Sequence, residues 1–237
     1  MPGPRAAGSK AMIFDLFFTL VNPMKEEYSR VSEYTVLEME RGEFERRNGI
    51  DYDIRGSGKI RDPCEMVRHI LRGLNIDEGL LRRAADARLE RIKRTLYGVE
   101  EKNLKILKKI RELGFKTCLI SNADVIDVYH WKGSPLSTAF DHVLFSYYEG
   151  LLKPNPRIFH LALDRLEIEA AQCFYVGDGG HEELRGAKES GMTTILTTEY
   201  SSRIWPEKIP ALRQNADYEV ARLEDILKVL SNIEGCI

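Results

Sequence analysis

Residues 11–21, Ala-Met-Ile-Phe-Asp-Leu-Phe-Phe-Thr-Leu-Val, form an apolar run broken by one carboxylate, Asp15, and one hydroxyl, Thr19. Such a run, rich in aromatic and branched residues, predicts a buried strand of a parallel sheet, covered on both faces. An unpartnered buried charge is costly, so Asp15 points to a nucleophile, a metal ligand or both. The alternative is a structural carboxylate capping the turn after the strand.

Beyond Val21 the pattern changes. Asn22-Pro23 ends the strand, and residues 25–47 are charged, with apolar positions at Tyr28, Val31, Tyr34 and Leu37. That pattern predicts an amphipathic helix, or two with a kink. A loop with turns at Gly49, Gly56 and Gly58 follows. Pro63 opens a helix carrying Met66, Val67, Ile70, Leu71 and Leu74, and Asp77 caps another that runs to Gly98. Residues 22–98 therefore read as an all-helical insert, flanked by a core made of residues 1–21 and 99–237.

From residue 99 onward helices and strands alternate. Leu104, Leu107, Ile110 and Leu113 line a helix that stops at Gly114. Strands are predicted at 115–120, 142–146, 173–176 and 193–197, with an edge strand at 218–220. Helices are predicted from Pro156, over 182–190 and over 223–232. Alternation of this kind predicts an α/β fold with a doubly wound parallel sheet, Rossmann-like, carrying the helical insert after its first strand.

Composition narrows the function. With 43% hydrophobic residues, 30% charged residues and a net charge of −2, the chain offers no basic field for nucleic acid and no polybasic patch for a membrane. No apolar run reaches the length that spans a bilayer, and the lead Met1 to Lys10 lacks the apolar core of a signal peptide. Cys64, Cys118, Cys173 and Cys236 form no CxxC pair. The reading is a cytoplasmic protein without a zinc site or disulfide framework.

Four predicted strand ends carry polar groups: Asp15 with Thr19, Ser121-Asn122, Lys153 before Pro154, and Asp178 with Glu183. Singly, each has a structural explanation, as a helix cap, a solvated lysine or a plain turn. In this order on successive β/α units, they resemble the four motifs of the haloacid dehalogenase superfamily of hydrolases, in its subclass with a helical cap. The matching pieces are Phe14 to Leu20, Leu119 to Asn122, Lys153-Pro154 and Val176 to Ala187. The likeness covers residues 10 to 230.

The resemblance implies phosphoryl transfer in which Asp15 is the nucleophile and Lys153 stabilises the charge beside it. It implies a Mg²⁺ site made by Asp15, Asp178, Glu183 and the backbone carbonyl of Phe17. Thr19, Ser121, Asn122 and Lys153 would hold a phosphorylated small-molecule substrate. One position departs from the pattern. Phosphatases of the superfamily usually carry a second Asp two residues after the nucleophile, as general acid and base, and here Phe17 stands there. Three readings remain open: a Mg²⁺-dependent phosphatase-type hydrolase, a 2-haloacid dehalogenase-like hydrolase, and a non-catalytic phosphate- or metal-binding protein. Aromatic residues are common at the Phe17 position in dehalogenases, but those generally replace Gly-Asp of the last motif with Ser-Asn and need no metal.

Substrate choice is assigned to the first helix of the insert and to the loop from Arg55 to Lys59. There Arg55 or Lys59 either meets an acidic substrate group or remains a solvated loop charge. Hinges near residues 22 and 98 would let the insert open and close. His181 is expected at the rim of the site or exposed, and Tyr147-Tyr148 in packing or cap contact. An apolar face on the insert is compatible with a monomer or a homodimer.

Overall fold

A computed structural model describes residues 10–29 and 32–234 of the chain. The expectations for the N-terminal lead before Lys10, for Val31 and for Cys236 lie outside the described residues. Six strands form one parallel sheet: β1 (Ala11–Phe14), β2 (Lys116–Ser121), β3 (His142–Phe145), β4 (Cys173–Gly177), β5 (Thr193–Thr197) and β6 (Tyr218–Val220). Their order is β3-β2-β1-β4-β5-β6. Successive strands thus add on one side of β1 up to β3, and then on the other side from β4.

Alternation along the strands sorts the core into two layers. Met12 and Phe14 of β1, with Phe174 and Val176 of β4, face the helices Glu101–Glu112 and Ile226–Glu234. Ala11, Ile13, Cys173 and Tyr175 face the helices Pro156–Leu166 and Glu183–Glu189. Both faces are covered, which is why β1 reads as a continuous apolar run. Cys118 and Cys173 are buried in these strands and free.

Between Val21 and the helix Glu101–Glu112 the regular elements of the described residues are all helices. The helix Glu78–Tyr97 has Asp77 as its N-cap, the side chain accepting from the Leu80 N–H. The region 25–47 departs from the expected one or two helices. It holds the short helices Glu26–Ser29 and Glu33–Val36, and a longer one, Arg41–Gly49. Glu38, at φ 50°, turns the chain between the last two. The expected loop around Gly56 contains a helical turn, Tyr52–Gly56, entered through Asp51 at φ 49°. The apolar side of the insert joins the first core layer through Phe44, Met66, Leu81 and Leu96. Among the described residues no helix is long and apolar enough to cross a membrane.

Candidate active site

In a sheet of this order the carboxyl ends of β1 and β4 lie at the point where the winding reverses, and ligands of α/β sheets gather there. Asp15 directly follows β1, its N–H donating to the Val176 carbonyl of β4 at 2.9 Å. Asp178 directly follows β4. A tight turn follows Asp15: the Phe18 N–H donates to the Val21 carbonyl at 2.7 Å, with Phe18 at a left-handed φ of 59°. The turn brings the Thr19 hydroxyl back to donate to Asp15 Oδ2 at 3.0 Å.

Lys153 reaches this point from the segment after β3. Its Nζ donates to Asp15 Oδ1 at 2.5 Å, to the Ile120 carbonyl at 3.1 Å and to the Tyr175 hydroxyl at 3.0 Å. It also donates to Glu183 Oε2. The backbone of Lys153 is held in turn by Asn122, whose Oδ1 accepts from the Lys153 N–H at 2.8 Å while its Nδ2 donates to the Lys153 carbonyl at 3.0 Å. Ser121 is fully buried at the end of β2, its hydroxyl 3.3 Å from the Asn122 carbonyl oxygen.

Glu183 turns inward because the chain before it is left-handed, with His181 at φ 51° and Glu182 at φ 53°. Glu182 thereby stays outside, paired with Arg185. Glu183 Oε1 accepts from the Gly179 N–H at 3.0 Å, and Oε2 from the Tyr175 hydroxyl at 2.7 Å. A Cβ on Gly177 would stand 2.1 Å from Glu183 Oε1, so only glycine leaves room for this approach.

Asp15, Asp178 and Glu183 are all buried, and each offers an oxygen within 4.8 Å of the others. With all groups ionised, three carboxylates face one ammonium, leaving two negative charges unbalanced. Burial, and after it the charge of Asp15, pushes Glu183 up to about 8 and Asp178 up to about 6. Burial works against the charge on Lys153, but Asp15 and Glu183 hold its pKa above the ordinary lysine value. Burial and the neighbouring Glu183 keep the Tyr175 phenol far above its ordinary value. An all-oxygen, carboxylate-rich, buried donor set, with Glu183 and Asp178 raised by burial and by the charge of Asp15, fits a hard divalent cation. Among the described residues this is the one group of such side chains placed to hold a metal.

Above Asp15 lies a cavity of about 440 Å³, lined by Phe17, Asn122, Lys153, Asp178, His181 and Glu183 from the sheet side. From the insert come Tyr34, Phe44, Tyr52, Arg88 and Arg91. In the loop from Arg55 to Lys59, Arg55 departs from both expectations, while Lys59 has the exposure of a solvated charge. Arg55 is fully buried, donating to Asp124 Oδ2 at 3.2 Å and lying over the Tyr52 ring, so it is neither solvated nor in the cavity wall. Lys59 is exposed. His181 stacks on Tyr52 with ring centroids 5.5 Å apart, at the rim. Tyr147 touches the insert through its carbonyl, which leaves no space for a Cβ on Gly58. Sequence reasoning missed Tyr175, whose hydroxyl joins Lys153 to Glu183, and the placement of Arg88 and Arg91, on the expected helix Glu78–Tyr97, in the cavity wall.

Residues 10–191 match the family model of haloacid dehalogenase-like hydrolases, and the chain belongs to that family. A glyceraldehyde 3-phosphate phosphatase from Pyrococcus abyssi is 33% identical over 134 residues, covering 55% of this chain and 54% of that protein. The chain thus spans about half the length of the curated relatives it matches. L-2-haloacid dehalogenase from Xanthobacter autotrophicus superposes with a TM-score of 0.66 at 18% identity, over 95% of this chain and 99% of that one. A HAD family enzyme from Bacteroides thetaiotaomicron, in complex with magnesium and inorganic phosphate, gives a TM-score of 0.61 at 20% identity, over 80% and 94%. At these identities the two structures share the fold.

Proposed function

We propose that the chain is a Mg²⁺-dependent hydrolase of phosphate esters that works through an aspartyl-phosphate on Asp15. The observation that carries the proposal is the cluster of three buried carboxylates around one lysine. Asp15, Asp178, Glu183 and the Phe17 carbonyl are the groups that would hold Mg²⁺. Bound there, the ion neutralises phosphate charge that would otherwise repel Asp15. The magnesium and phosphate bound by the Bacteroides thetaiotaomicron enzyme, and the phosphatase name of the Pyrococcus abyssi relative, support the same reading.

Thr19 and Lys153 fix the two carboxylate oxygens of Asp15, so the nucleophile is oriented before substrate arrives. The Lys153 ammonium, carried on a backbone that Asn122 holds at both its N–H and its carbonyl, faces charge that develops on phosphorus-bound oxygens. Ser121 and Asn122 at the end of β2 would take the phosphate oxygens. Phe17 moves no proton, so the leaving group departs unprotonated, and general acid help worth roughly 10²–10⁴ in rate is missing for alkyl esters. The insert, residues 22–98, acts as a cap that closes on the substrate, with hinges near 22 and 98. The substrate is a phosphorylated small molecule, hydrolysed in the cytoplasm by a monomer or homodimer, without nucleic acid or membrane as partner.

The test is release of 4-nitrophenol from 4-nitrophenyl phosphate with Mg²⁺, with EDTA, and by the Asp15→Asn variant. Activity lost in both controls is the expected result. The aromatic Phe17 next to the nucleophile favours a second reading, attack of Asp15 on carbon with loss of halide. Halide release from 2-chloropropionate, with no phosphatase activity above the blank, is the outcome that would select it.

A further inference from the structure

The cavity wall away from the carboxylates is aromatic. Phe17 and Phe18 come from the turn after β1, Trp205 from the segment after β5, and Tyr34 and Phe44 from the insert. Phe18 and Trp205 meet edge to face, centroids 4.8 Å apart at 73°, and Tyr34 meets Phe44 at 6.3 Å and 52°. Phe18 makes its contact from a left-handed backbone, which bulky side chains rarely adopt and which persists where the surroundings enforce it.

Guanidinium groups of the insert that reach the cavity are already committed. Arg91 donates to both oxygens of Glu33 at 2.9 and 2.6 Å, Arg41 to Glu45 at 2.6 Å, and Arg88 to Asp124 at 3.1 Å. Lys208, which also lines the cavity, lies over the Trp205 ring with its ammonium 4.6 Å from the ring centroid, so the wall there offers an aromatic face with a cation behind it. A planar group would bury its faces against rings already in place.

We infer that the ester group carried by the phosphate is an aryl moiety, seated among Phe17, Phe18, Trp205, Tyr34 and Phe44. This rests on the phosphatase reading and deepens it. The same substrate class removes the need for an acid at position 17. Attack by Asp15 forms its oxygen–phosphorus bond and breaks the bond from phosphorus to the aryl oxygen, which leaves with the electron pair as an aryloxide. The aryloxide takes a proton from solvent. Water then attacks phosphorus, the Asp15 carboxylate departs, and the water proton goes to solvent. The sum is aryl phosphate plus water to phenol plus inorganic phosphate.

The experiment compares 1-naphthyl phosphate with acetyl phosphate, an activated phosphate lacking a ring, in the Mg²⁺-loaded wild type and in Trp205→Ala and Trp205→Phe. Both compounds are expected to turn over in an Asp15-dependent manner, 1-naphthyl phosphate with a KM about tenfold lower, the scale of one aromatic contact. Trp205→Ala is expected to lower kcat/KM about tenfold more for 1-naphthyl than for acetyl phosphate, with Trp205→Phe restoring most of the difference. Equal KM values, or a Trp205→Ala loss of the same size for both compounds, would overturn the inference and leave the phosphatase reading standing. Hydrolysis of neither compound above the Asp15→Asn blank would overturn both.

Discussion

Lys153 Nζ stands 2.5 Å from Asp15 Oδ1 and also bonds Glu183 Oε2, so one ammonium ties the end of β1 to the helix that follows β4. Both partners are buried, and the lysine is what compensates their charge. Lys153→Met leaves three buried carboxylates without a cation and is expected to destabilise the metal-free protein by about 3–5 kcal/mol. Urea unfolding checks this, and Mg²⁺ is expected to return part of the loss. A variant as stable as the wild type without metal would show that the carboxylates do not strain the fold.

Gly177→Ala tests how closely Glu183 must approach β4. The new Cβ would meet Glu183 Oε1 at 2.1 Å, so the carboxylate has to withdraw. Stability is expected to fall by about 1–3 kcal/mol, the usual cost of overpacking. The stabilisation gained from saturating Mg²⁺, about 2.7 kcal/mol at a hundredfold excess over Kd, is expected to shrink. Thermal melts with and without Mg²⁺ separate the two effects, and an undiminished metal shift would mean that Glu183 is not a ligand.

Much of this arrangement was legible in the sequence. Buried parallel strands are continuous apolar runs, and Asp15, Asn122 and Asp178 interrupt such runs where they end. The strand ends that carry them belong to the neighbouring strands β2, β1 and β4, whereas Lys153, expected at a strand end, lies beyond the helix Ser146–Glu149 that follows β3. Tyr175 was not legible, because a tyrosine in a buried strand looks like packing until its hydroxyl is seen between Lys153 and Glu183. The inward turn of Glu183 against Glu182 depends on two left-handed residues, His181 and Glu182, of types that do not signal that conformation. Arg55 read as a substrate contact or a solvated charge because its partner Asp124 lies 69 residues away.

That distant pair gives another prediction. Asp124 accepts from Arg55 at 3.2 Å and from Arg88 at 3.1 Å, and so joins the insert to the helix after β2. Asp124→Ala removes the carboxylate that two buried guanidinium groups share, leaving Arg88 with Glu33 at 3.6 Å but Arg55 without an ion pair among the described residues, and is expected to cost about 3 kcal/mol. Exposed Lys59→Ala is expected to stay within about 0.5 kcal/mol of wild type. Chemical denaturation of both variants checks the contrast, and equal midpoints would refute the network's contribution.

Asp127 supplies the pH dependence. Burial, and next the charge of Asp124, pushes its carboxyl up to about 7, although Arg88 at 3.9 Å pulls the other way. The ordinary value is about 3.9, so between those two pH values the folded chain keeps a proton that the unfolded chain has released. Stability from this group is full below the ordinary value and is lost as pH rises toward 7, by at most about 1.4 kcal/mol per unit. Asp127→Asn can still accept the Asp124 N–H but cannot titrate. Urea midpoints from pH 4 to 8 are expected to fall for wild type relative to Asp127→Asn, and parallel curves would show that Asp127 titrates normally.

Phe17→Asp addresses the residue that separates this chain from the usual phosphatase pattern. Phe17 is partly buried and lines the cavity two residues beyond Asp15, in the turn held by the Phe18 and Val21 hydrogen bond. A carboxyl group there would sit at the cavity wall, able to give a proton to a departing alkoxide and then take one from water. Alkyl esters such as glyceraldehyde 3-phosphate need that proton most, so their kcat is expected to rise, approaching the roughly 10²–10⁴-fold that general acid catalysis supplies. Aryl esters leave without it, and their kcat/KM is expected to fall because one ring of the aromatic wall is gone. The crossing of the two substrate classes is the measurement: rates of alkyl and aryl phosphates in the wild type and Phe17→Asp, at saturating Mg²⁺. If both classes fall together in a folded variant, the absent proton donor does not limit this site, and another group in the cavity must already supply the proton.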